Sequence, residues 1–141
     1  MFLSLTRPTP CPDCRTPADW VGVQVLVGDA LRWDVEVACG SCGFAVAECG
    51  GELSDGVRES LLAEHGAAVL HFTTPPRRLA VLRVLRESAG VGIAEAKEAL
   101  ERVLAGEYSG TPPEMELLAR RLRAVGVDVV VSAQAARRCS G

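Results

Sequence analysis

Two C-x-x-C pairs, Cys11-Pro-Asp-Cys14 and Cys39-Gly-Ser-Cys42, constrain the first half of this chain more than any other feature. Each pair lets two thiolates approach one ion from a single turn, and two such turns complete a tetrahedron. The 24 residues between the pairs hold two alternating apolar runs, "WVGVQVLV" (20–27) and "LRWDVEVA" (31–38), around a "GDA" turn. Such runs predict strands, and "FAVAEC" (44–49) supplies another. "MFLSL" is too short for the apolar region of a signal peptide, so a cytoplasmic location is expected. In that compartment the spacing favours zinc over disulfides or a redox pair.

Knuckle, strand, turn, strand, knuckle, strand is the order of a zinc ribbon, which residues 1–50 resemble. With cysteine at all four ligand positions there is no open place for a catalytic water, so the metal is expected to be structural. Zinc contributes on the order of 10 kcal/mol to folding in units of this size, enough to replace a missing core. Residues 1–66 carry four basic and ten acidic side chains, a charge of −6, whereas residues 67–141 carry +3. Zinc ribbons often bind nucleic acid or polymerase, but phosphate recognition needs concentrated Lys and Arg, and the charge here argues against it. Cys49 reads as a small apolar strand residue and Cys139 as part of a loose tail over 133–141.

The rest of the chain predicts α+β structure. Ser54 can cap a connecting helix within 51–66, closed by Gly66. "AAVLHFT" (67–73) reads as a strand. Thr74 and Pro75 open a helix running to about 88 and ending at Gly90. A second helix begins near Ile93 and fades by Gly106, and "EYSG" (107–110) can form a short edge strand. Thr111 and Glu114 make a T-x-x-E capping box for a third helix that stops at Gly126, followed by "VDVVVS" (127–132). The expected order over 67–132 is β-α-α-β-α-β, with helices on one face of a small sheet.

At 100° per residue, Ala80, Val81, Val84, Leu85 and Ser88 share the core side of the first of these helices. Leu79, Leu82, Arg83 and Arg86 fall on the opposite side. The second helix places Ile93, Ala96, Leu100, Val103 and Leu104 on its buried stripe. Lys97, the one lysine in the chain, lies at the stripe's edge, where its stem can rest on apolar surface and its ammonium can reach water. An apolar patch with a basic rim suits an acidic, partly apolar protein partner.

"LAVLRVLRESAGVGIAEAKEALE", with its G-x-G-x-x-E-A-K run, resembles the C-terminal domain of the bacterial large-subunit ribosomal stalk protein. "LRAVGVDVVV" is similar to that family's final helix and strand. The resemblance implies a protein-binding surface for translational GTPases at Leu79, Leu82, Arg83, Arg86 and Lys97, with Gly90 and Gly92 shaping the turn. The family's dimerisation helices and hinge have no counterpart, and Ala94 stands where a second lysine is usual.

Function is therefore expected to be non-enzymatic: a zinc-stabilised adaptor that docks a translation-associated factor. An immunity- or antitoxin-type inhibitor is an alternative, as is nucleic-acid or polymerase binding by the ribbon. His65 at a helix end and His71 in a strand read as structural. "GVGIAEAK" lacks the G-K-[ST] ending of a phosphate loop.

Overall fold

The computed structural model describes residues 1–133, and within them the chain is α+β, with two small antiparallel sheets and four helices. It divides into two compact units, Met1–Leu61 and the part from Leu62 onward. No helix among the described residues is long and apolar enough to cross a membrane. Residues 134–141, with Cys139 and most of the expected tail, lie outside the described residues, whereas Ala133 ends a strand.

The first unit is a four-stranded meander of β1 (Phe2–Pro10), β2 (Pro17–Val27), β3 (Ala30–Ala38) and β4 (Ala45–Gly51), paired in that order. Strand β1 is an addition to the sequence reading. "FLSLT" alternates like a strand, but the prolines that follow argue against a central one. At the sheet edge they are tolerated, because β1 pairs only with β2. Helix α1 (Asp55–His65) starts at Ser54, whose hydroxyl accepts from the Val57 N–H at 3.3 Å. Its Leu61 is fully buried and joins Leu5 and Trp33, with Leu3, Trp20, Val35, Leu53 and Val57 packed around them. This cluster is small. In a unit of about 60 residues so small a cluster makes stability from apolar burial alone marginal.

The second unit runs β5 (Ala68–Phe72), α2 (Arg78–Ala89), α3 (Ile93–Leu104), β6 (Ser109–Gly110), α4 (Pro112–Ala124), β7 (Val129–Ala133). Its sheet has the order β6-β5-β7. Ala68 and Leu70 of β5 and Val129 of β7 enter a core with Val81, Val84, Leu85, Leu100, Val103, Leu118 and Leu122. The capping box forms: the Thr111 N–H donates to Glu114 Oε1 at 2.8 Å, and the Glu114 N–H to Thr111 Oγ1 at 3.3 Å.

Three details correct the sequence reading. Helix α2 begins at Arg78, not near 75, with Arg77 as an extended N-cap. Pro76 disfavours helical geometry at Pro75, so the Thr74 start is blocked. Ser88, expected on the core side of α2, is exposed. Ile93, expected in the buried stripe of α3, is 52% exposed; it is the first residue of that helix, where the stripe has already run past the core.

Candidate functional site

In a meander, alternate turns lie at the same end of the sheet, and this topology brings the cysteine pairs together. The β1–β2 turn holds Cys11 and Cys14, and the β3–β4 turn holds Cys39 and Cys42. The two turns repeat each other at an offset of 28 residues. The Cys11 N–H donates to Thr16 O at 2.9 Å and the Arg15 N–H to Cys11 O at 3.0 Å; the Cys39 N–H donates to Phe44 O at 2.8 Å and the Gly43 N–H to Cys39 O at 3.0 Å. In both turns the residue after the second cysteine takes positive φ, 62° at Arg15 and 81° at Gly43. Glycine adopts that geometry without strain; at Arg15 the turn imposes it on a side chain.

The ligand atoms of all four cysteines lie within 4.8 Å of one another. Cys11 Sγ is 3.6 Å from Cys42 Sγ, and Cys14 Sγ is 3.6 Å from Cys39 Sγ. These are opposite edges of the sulfur tetrahedron. With metal–sulfur bonds of about 2.3 Å, a tetrahedral site has edges of about 3.8 Å, close to these two distances, so the four cysteines could hold a metal ion. Cys11 and Cys39 are buried, 1% and 4% exposed, while Cys14 and Cys42 face outward. Cys49 lies in β4 and is exposed, away from the cluster.

Electrostatics at the cluster pull its thiols in different directions. The Cys42 backbone N–H, the Thr16 hydroxyl and the Ser41 N–H hold the Cys39 thiol down to about 6. The Thr16 side chain, and then its backbone, lower that of Cys14. The Phe44 backbone N–H works in the same direction on Cys42, but desolvation and the Cys11, Cys14 and Cys39 sulfurs outweigh it and push that thiol up to about 12. Crowded sulfurs thus retain a proton that a bound dication would displace.

In the second unit, Gly90 closes α2 in the left-handed region at φ 64°, its N–H bonded to Arg86 O at 2.9 Å. Gly92 caps α3 in an extended conformation, which any residue can adopt. A groove of about 590 Å³ is lined by Leu79, Leu82, Arg83, Arg86, Glu87, Gly90, Val91 and Ile93. A second, of about 380 Å³, lies against Leu79 and Leu82 with Arg78, Lys97, Leu100 and Glu101. Leu79 is 69% exposed, while Leu82 is half-buried and packs on the core. Arg78 is tied to Glu101 by an ion pair. Among the described residues, Arg83, Arg86 and Lys97 have no carboxylate partner. Val91, which no helical wheel covers, and Ile93, which the wheel put on the buried stripe, are groove residues; the signal was their place in and beside the short link between two helices.

Histidines 65 and 71 are not among the residues clustered for metal binding. Comparison with protein families, with curated proteins and with solved structures finds no match to this chain.

Proposed function

We propose that this is a non-enzymatic binding protein: a structural zinc held by Cys11, Cys14, Cys39 and Cys42 stabilises the first unit, and the α2–α3 hairpin of the second docks a protein partner. A translational GTPase or another translation-associated factor is the first candidate, because the G-x-G-x-x-E-A-K run at 90–97 resembles the ribosomal stalk domain. One observation carries the docking reading. Among the described residues Arg83, Arg86 and Lys97 lack carboxylate partners, and they border grooves walled by the exposed Leu79. Exposed leucine with unpaired cations around it fits an acidic surface that offers apolar side chains. A donor set made only of cysteine thiolates favours zinc among abundant cations, and thiolate ligands fit a reducing compartment such as the cytoplasm.

Direct binding of purified translational GTPases to the full chain tests this reading. Wild type is expected to bind, and Arg86→Glu/Lys97→Glu to weaken binding by about tenfold or more, since both reversals place like charges against the partner. Equal binding by the two proteins, or no binding by either, would overturn the proposed partner.

A further inference from the structure

Thr16 lies two residues beyond Cys14, and its hydroxyl reaches both turns. Thr16 Oγ1 is 2.9 Å from Cys14 Sγ and 3.6 Å from Cys39 Sγ. Those two sulfurs define one edge of the tetrahedron. The opposite edge, Cys11 to Cys42, has no such neighbour among the described residues, because the position equivalent to Thr16 in the second turn is Phe44. The 28-residue repeat is therefore asymmetric beside the sulfurs: a hydroxyl lies against one edge, and a phenylalanine takes its place in the other turn.

We propose that Thr16 is a positioning residue of the metal centre, donating its hydroxyl proton to the Cys14 thiolate and lying against that of Cys39. By geometry alone either atom of each pair can donate. Metal binding removes the thiol protons, after which only the hydroxyl has a proton to give. A hydroxyl has one, so it serves one sulfur at a time, and the shorter contact selects Cys14. The donated bond draws charge from a site that carries four thiolates against one dication, and it fixes the rotamer of an outward-facing ligand. Partners of this kind contribute about 10- to 100-fold to metal affinity.

The inference rests on the reading that the four cysteines hold a metal, and the test separates the two. Full-length wild type, Thr16→Val and Thr16→Ser are titrated with Co²⁺ against a competing chelator, following the sulfur-to-cobalt charge-transfer band. Valine matches threonine in shape and has no hydroxyl; serine keeps the hydroxyl. Thr16→Val is expected to bind Co²⁺ about 10- to 100-fold more weakly, with the band moved to lower energy because the freed thiolate gives up its electrons more readily. Thr16→Ser should restore both. A role in packing alone would leave the valine protein unchanged, with an unshifted band, and that result overturns the proposal while leaving the metal site intact. Absence of any charge-transfer band in wild type would overturn both together.

Discussion

Cys39→Ala protein is expected to purify without zinc and with residues 1–61 unfolded. The first unit has one small apolar cluster, built on Leu5, Trp33 and Leu61, and a second of Cys11, Ala18 and Cys39 formed by the cysteine turns themselves. Structural zinc contributes on the order of 10 kcal/mol in such units, against a net stability of about 5–15 kcal/mol for an ordinary domain. Losing one ligand leaves three thiolates, too few to close a tetrahedral site. Both tryptophans, Trp20 and Trp33, belong to this sheet, so tryptophan emission reports on the first unit alone. The variant, or wild type treated with a strong chelator, should show emission shifted to the red, with wild-type emission recovered when zinc is returned to the chelated protein. Zinc content measured by mass spectrometry gives the companion reading. Unchanged emission after complete metal removal would show that the apolar cluster suffices by itself.

The cysteine cluster was legible in the sequence because its signal is local: each pair is one turn, and only the pairing of turns needs the fold. The same holds for Thr111 and Glu114, three residues apart and joined in the expected capping box. What stayed hidden depends on depth or on distant neighbours. A helical wheel assigns an angle to Ile93 but cannot tell that the first turn of α3 overhangs the core. Strand β1 is concealed by its own prolines, which a central strand would not tolerate but an edge strand does. Thr16 is invisible until the turn folds it back on Cys14 and brings Cys39 across from the other hairpin. Arg15 could have been found by aligning "CPDCRT" with "CGSCGF", since the glycine in the second turn marks the backbone geometry that the first must share.

Gly22→Val is expected to destabilise the first unit by about 3 kcal/mol, against what strand propensity alone would suggest. Gly22 sits inside β2, where glycine weakens a strand and a β-branched residue normally strengthens it by up to about 1 kcal/mol. Register sets the opposite sign here. Gly22 pairs with Val35 and Gln24 pairs with Trp33, so Trp33 is the diagonal neighbour of Gly22 and its ring lies over the glycine. A Cβ at this position would overlap the Trp33 ring and come within 2.7 Å of Trp20 Cη2. The two indoles already pack against each other, centroids 6.1 Å apart and tilted by 44°, with the Arg7 guanidinium 5.8 Å from the Trp20 ring centre. Neither ring can move away freely. Trp33 is held in the cluster with Leu5 and Leu61, and Arg7 is itself hydrogen-bonded to Ser60 on α1. Overpacking of this kind costs about 1–3 kcal/mol, occasionally more, and displacing two large rings from so small a core puts the cost at the upper end. Urea unfolding of zinc-loaded protein followed by tryptophan emission measures it, with Gly22→Ala expected to fall between wild type and valine because the clash begins at Cβ. A valine protein as stable as wild type would mean that the indole pair repacks without cost, and that the absence of a side chain at position 22 is no part of what holds α1 to the sheet.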